Sequence, residues 1–178
     1  EKIAVLVAES VRLKVPVLPP DVNESGSTFT VVGEDKSSIR FGLSSIKNFG
    51  EGISEAIIEE RVKHGPFASL SDFLSRVDSR NLNKKSLEAL IKCGALDSFK
   101  EVADRGVLME HIDTLLTFHR DATQTASQDT LFAITAPTLT LPETTTSVSL
   151  SDKLEWEHEL LGIYVSGHPL DAHKSTQA

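Results

Sequence analysis

Ile46-Lys47-Asn48-Phe49-Gly50-Glu51-Gly52-Ile53 decides how this chain reads. Before it, residues 43–47 have the pattern of a short helix. After it, Ile53, Ile57 and Ile58 recur at helical spacing over residues 52–64, and Gly65-Pro66 ends the run. Between the two helices only a tight turn fits, at Asn48-Phe49-Gly50. Phe49 is the apolar residue available to plug the space between them. Asn48 stands where the turn needs positive φ, a region that asparagine tolerates better than other non-glycine residues. Gly50 and Gly52 remove side chains from a place where backbone N–H groups face outward. Those N–H groups, with the positive end of the second helix dipole, suit a phosphate. Lys47 adds a positive charge. Glu51 opposes the reading, because a carboxylate repels phosphate unless it points away or caps the helix. The same eight residues also spell an ordinary αα-hairpin with a glycine turn, and locally both readings stand.

A helical turn of this kind that grips duplex backbone without reading sequence is a helix-hairpin-helix element, and the flanks predict a mainly α body around it. Residues 1–14 carry Ile3, Leu6, Val7 and Val11 at amphipathic spacing. Val15-Pro16-Val17-Leu18-Pro19-Pro20 must run extended. Phe29-Thr30-Val31-Val32 and Ile39-Arg40-Phe41 read as a small strand pair. Beyond the hairpin, Ser69 or Ser71 caps a helix with Phe73, Leu74 and Val77 inward. Asn83 caps the next, with Leu87, Leu90 and Ile91 inward, and Gly94 ends it in the left-handed conformation. A longer helix is expected over residues 104–120, with Leu108, Ile112, Leu115, Leu116 and His119 along one stripe. Residues 121–149 turn rich in Thr, Ser, Ala and Pro and read as an extended linker. Residues 150–162 return to helix, and Ile163-Tyr164-Val165 reads as the start of a strand.

Charge narrows the function. The chain has 178 residues and a formal net charge of −8, which argues against a generic binder of nucleic acid, since such affinity comes from neutralising phosphates. The distribution is uneven, however. Residues 76–100 hold Arg76, Arg80, Lys84, Lys85, Lys92 and Lys100 against three acids, while residues 121–162 hold seven acids and one lysine. The middle of the chain, through Arg80, Lys84 and Lys85, is the part able to meet DNA, although a charge run is also how any solvated face looks. The single Cys93 excludes an internal disulfide and fits a reducing cytoplasm. No apolar run has the length of a membrane span. Residue 1 is not Met and no signal-peptide layout follows, which reads as a piece of a longer chain. The six histidines have no metal spacing, the acids form no two-metal cluster, and Ser166-Gly167-His168 reads as a turn rather than a triad. No catalytic or metal-binding residue is therefore assigned.

Gln128-Asp129-Thr130-Leu131-Phe132 stands inside the polar linker. An isolated Leu-Phe pair there has no neighbours to bury it, and such anchors commonly fill a partner's pocket. Gln128 would hydrogen-bond at the rim while Leu131 and Phe132 enter an apolar cleft. A loop that folds back onto its own core would use the same residues.

The whole chain resembles the alpha (polymerase) subunit of bacterial DNA polymerase III. The matching stretches are Val17-Leu18-Pro19-Pro20-Asp21-Val22-Asn23-Glu24-Ser25, Ile39-Arg40-Phe41-Gly42-Leu43, residues 46–61, Gly65-Pro66-Phe67, Leu82-Asn83-Lys84 through Gly94-Ala95-Leu96-Asp97, and residues 161–170. The resemblance implies a division into the end of the fingers region (1–42), a helix-hairpin-helix DNA-binding region (43–120), a linker carrying a clamp-binding peptide (121–149), and a helix and strand leading toward an OB-fold domain (150–178). It implies contacts to primer–template duplex from Lys47, Asn48, Phe49, Gly50, Gly52, Arg80, Lys84 and Lys85. It implies contacts to the beta sliding clamp from Gln128, Leu131 and Phe132. The family's metal-binding aspartates belong upstream of Glu1, so this segment is expected to carry no cofactor, and magnesium belongs to the parent polymerase. The expected setting is the polymerase III holoenzyme in a bacterial cytoplasm. Two other readings are a helix-hairpin-helix module of a repair nuclease or ligase, and a structural spacer inside the polymerase. The intact Gln-x-x-Leu-Phe peptide leans toward the replicative rather than the error-prone type.

Overall fold

Prolines and one tight chain crossing shape the N-terminal part. The computed structural model describes residues 2–33, 37–78, 80–102, 104–127, 139–141 and 146–167. Helix α1 (Lys2–Arg12) leads into β1 (Val17–Leu18), followed by β2 (Thr30–Val32) and β3 (Ser38–Arg40). The expected strand pair is present, antiparallel, with Val31 opposite Ile39. The proline-rich stretch adds a third strand: β1 pairs in parallel with β3, so the order is β1-β3-β2. Pro16 and Leu18 accept from Ile39 N–H and Phe41 N–H at 2.9 and 3.1 Å. Proline lacks a donor but keeps its acceptor, so it is tolerated at this sheet edge. At Gly42 an added Cβ would run into the backbone of Thr28, which fixes glycine where the chain crosses itself.

Part-buried and buried polar side chains tie the loop after β1 to the helical body and to the end of β3. Arg61 donates to the carbonyls of Val22 and Ser25 at 2.7 and 2.8 Å. The Asn23 side chain donates to the Phe67 carbonyl at 2.9 Å and accepts from Phe67 N–H at 2.8 Å. Ser25 Oγ donates to the Phe41 carbonyl at 2.7 Å. Backbone groups leaving water in a loop are thereby paired, as burial requires.

The body consists of a 3₁₀ turn at Leu43–Ser45, then α2 (Glu51–His64), α3 (Leu70–Arg76), α4 (Lys84–Lys92), α5 (Arg105–Glu110), α6 (Ile112–Ser127) and α7 (Leu150–Leu161). Phe41, Leu43, Ile57, Phe73, Leu74, Leu87 and Leu90 are fully buried between them. Each such side chain contributes roughly 1.5–3 kcal/mol relative to exposure. Short-range signals act as expected. Ser69 caps α3 through Asp72 N–H, Asn83 caps α4 in a reciprocal box with Ser86, and Gly94 stands at φ +81.

Three expectations change. The long helix over 104–120 is two helices, broken at His111 (φ −106, ψ 21). Its second half then runs on to Ser127, into the stretch whose composition reads as linker, because Ile112, Leu115, Phe118 and Ala122 keep helical spacing and are buried. Ile163-Tyr164-Val165 is not a strand. Gly162 (φ +75) turns the chain back onto α7, where the Glu157 carboxylate accepts from Val165 N–H and Ser166 N–H at 3.0 and 2.9 Å. Beyond α6, Thr146 donates to Glu110 at 2.6 Å, and Val148 N–H donates to Asp104 at 3.0 Å.

Candidate nucleic-acid interface

The hairpin forms as its residues demand. Ile46 closes the 3₁₀ turn, Asn48 takes φ +62, and Phe49 is buried at 6% exposure between the helices. Gly50 is the N-cap of α2, at φ −73 and ψ 150, and no side chain caps that helix. Gly50 is thus not glycine for backbone reasons, since its conformation suits any residue. An added Cβ there would meet nothing within 4 Å. What the glycine leaves is open access to the first-turn N–H groups of a 14-residue helix, the arrangement that favours an anion. Glu51 is the first residue of α2 and is exposed.

A second helix start lies beside the first. An added Cβ on Gly52 would come within 3.2 Å of Asn81 Oδ1, in the turn that enters α4. That turn resembles the hairpin in layout: Leu82, buried at 2% exposure, precedes the cap Asn83 as Phe49 precedes Gly50. Neither Asn81 nor Leu82 was among the candidate DNA-contacting residues, and Leu82 entered only as part of a stretch that matches the family. Their signal was the buried apolar residue directly before a helix cap.

The basic residues divide. Lys47 and Lys85 are exposed, and Lys85 lines with Asn48 one crevice of about 120 Å³ that also includes Glu88, Lys92 and Glu159. Lys84 is engaged by Asp113 at 2.9 Å, and exposed Arg80 lies 3.7 Å from Asp78. The structure thus brings Lys47, Asn48, Phe49, Gly50, Gly52 and Lys85 to one end of the body. Lys84 is on the same helix start but turned to α6, and Arg80 sits on the turn before it. Gln128, Leu131 and Phe132 lie outside the described residues.

Behind this end is a charged corner that the sequence does not reveal. Arg105, 4% exposed, donates to Asp97 through Nε at 2.9 Å and Nη2 at 2.7 Å, to the Lys92 carbonyl at 3.0 Å, and to fully buried Glu157 at 3.0 Å. Burial works against its charge, but the hydrogen bonds and charges of Asp97 and Glu157 prevail and hold its pKa above the ordinary arginine value. Gly94 is fixed here twice over, by φ +81 and because a Cβ would strike the Arg105 guanidinium. Asp104 caps α5 through Gly106 N–H and accepts from Lys153 at 2.8 Å. Burial opposes its ionisation, yet the lysine and two backbone donors lower its pKa below the usual carboxylate value. Cys93 is buried and its thiol is pushed up to about 12, so it is no nucleophile. Among the described residues no group of three or more His, Cys, Asp or Glu is placed to hold a metal, and no helix is long and apolar enough to cross a membrane.

With two helix starts at one end, one of them reached through an Asn-Phe-Gly turn, the chain has the build of a helix-hairpin-helix protein, and it belongs to that family: the helix-hairpin-helix motif matches residues 14–106, half of the chain. Its relatives are more particular. It is 43% identical over 173 residues to DNA polymerase III subunit alpha of Thermus aquaticus, covering 96% of this chain and 13% of that protein. It is 39% identical to the same subunit of Chlamydia muridarum, over 98% of this chain and 14% of the relative, and 39% identical to that of Deinococcus radiodurans, over 98% and 13%. The resemblance read from the sequence therefore holds along nearly the whole chain, which spans about one-seventh of the length of these curated relatives.

Proposed function

We propose that this chain is the part of a bacterial replicative polymerase that holds the duplex backbone and ties the enzyme to a sliding clamp in the cytoplasm. The observation that carries the DNA half is the uncapped start of α2, opened by Gly50 and set beside the α4 turn through Gly52 and Asn81. Helix-start N–H groups take phosphate oxygens, Lys47 and Lys85 add charge, and no side chain at Gly50 or Gly52 blocks the approach. Contacts of this kind read backbone, not bases. Binding should then ignore sequence and weaken as salt rises, with a slope of about −0.9 per phosphate neutralised.

The clamp half rests on Gln128, Leu131 and Phe132 and on what the resemblance to the polymerase III alpha family implies for that peptide. The peptide follows α6 and precedes α7, both of which pack on the body, so a clamp bound there would be tethered close to the DNA-holding end. Nucleotide transfer belongs to the rest of a longer polymerase, with its magnesium. No chemical step is assigned to the acids of this chain.

Capture of the chain on the clamp of a bacterium with a closely matching polymerase tests the clamp half, against a variant carrying Gln128→Ala, Leu131→Ala and Phe132→Ala. Binding lost in the variant supports the tether. No binding by either form reduces the peptide to spacer. Titration with two duplexes of unrelated sequence across a range of salt tests the DNA half, and a strong preference for one duplex would contradict it.

A further inference from the structure

The hairpin does not hold its own shape alone. Lys47 N–H, at the turn, donates to the Leu160 carbonyl at 2.9 Å, in the last turn of α7. Those last carbonyls have no partner within their own helix, so α7 and the hairpin satisfy one another across a long separation in sequence. Leu160 also lines the crevice shared by Asn48 and Lys85. α7 in turn is fastened to the body by charge. Glu157 meets Arg105, Lys153 meets Asp104, and the Lys92 ammonium lies 5.6 Å from the centre of the Trp156 ring. Glu157 additionally takes the Val165 and Ser166 N–H groups and the Ser166 hydroxyl.

We propose that α7 is a strut that sets the hairpin for DNA, and that Glu157 and Arg105 are positioning residues acting on it through the Leu160–Lys47 bond. This rests on the DNA-binding reading of the hairpin. DNA grip would then depend on residues beyond the linker that touch no phosphate. Glu157 is the sensitive point because both its oxygens accept, one from Arg105 and the other from two backbone N–H groups. Glu157→Gln keeps the volume but turns one acceptor into a donor facing donors, whichever way the amide is placed. The charge on buried Arg105 is also left with Asp97 alone, and breaking a buried pair is costly.

The test compares the chain with Glu157→Gln and, as a milder loosening of α7, Lys153→Ala. Amide hydrogen exchange is followed at Lys47 and, as a core reference, at Leu90, alongside duplex affinity at low salt. Glu157→Gln should speed Lys47 exchange by about tenfold more than Leu90 exchange and weaken duplex binding by about tenfold, a moderate coupling between separated groups. Lys153→Ala should do the same by about threefold, and it decides the matter if Glu157→Gln fails to fold. Equal acceleration at Lys47 and Leu90, or unchanged exchange at Lys47, overturns the strut. Wild-type chain that binds no duplex would defeat the DNA reading, while Lys47 exchange would still decide whether α7 holds the hairpin.

Discussion

The starts of α2 and α4 lie side by side and are built differently. Each follows a buried apolar residue, Phe49 or Leu82. α4 then satisfies itself: Asn83 accepts from Ser86 N–H at 3.1 Å, and Ser86 Oγ accepts from Asn83 N–H at 2.9 Å. α2 begins at Gly50 with no side-chain cap, and its glycine has a backbone conformation that any residue could adopt. A cap normally stabilises a helix by about 1 kcal/mol, and glycine is weaker only by a few tenths. The missing side chain at Gly50 therefore costs the fold little and leaves N–H groups facing outward. Self-sufficiency at one start and openness at the other is what distinguishes a structural turn from one that can receive an outside acceptor.

Making the two starts alike gives the largest expected effect. Gly50→Asn should leave stability within a few tenths of a kcal/mol, as read by urea unfolding. It should also weaken duplex binding by about tenfold, equivalent to about 1.4 kcal/mol. Unchanged affinity would mean that the open start is incidental. The converse change, Asn83→Ala, should cost stability by about 1 kcal/mol in the same unfolding experiment, with a smaller effect on DNA; a larger loss of affinity than Gly50→Asn would reverse the ranking of the two starts. Lys47→Ala and Lys85→Ala should each weaken binding a few-fold and flatten the salt dependence by about 0.9 in slope. Lys84→Ala should do less, since Asp113 already holds that ammonium; equal effects at Lys84 and Lys85 would place the duplex across the α6 side instead. The smallest change is a gain: Glu51→Gln removes an exposed carboxylate from the open start and should tighten binding by about twofold, within the range of exposed charge effects.

What was legible in the sequence was local. Asn48 at positive φ, the cap Asn83, a serine cap on α3 (Ser69, where Ser71 was the other candidate), the stop at Gly94 and the inward faces of α3 and α4 each depend on neighbours within one turn. The hairpin was legible for the same reason. The break at His111 was not, because the stripe from Leu108 through Leu115 continues across it and only packing against other helices separates α5 from α6. The end of α6 was misplaced because Thr- and Ser-rich composition hides Phe118 and Ala122, which remain at helical spacing on the core. Arg105 and Glu157 are 52 residues apart, and nothing in either's neighbourhood announces the other. At Gly50 the structure shows φ −73 and no side chain over the helix start, so what the glycine contributes is the missing side chain and not a special backbone conformation.

The most direct measurement follows backbone amide signals of the labelled chain as a short duplex of arbitrary sequence is added at low salt. The amides of Gly50, Glu51, Gly52 and Ile53 should shift most, those of Asn83 and Ser86 should move less, and the shifts should retreat as salt is raised. Shifts centred on the α4 start, or on a surface away from both, with the α2 amides unmoved, would contradict that expectation.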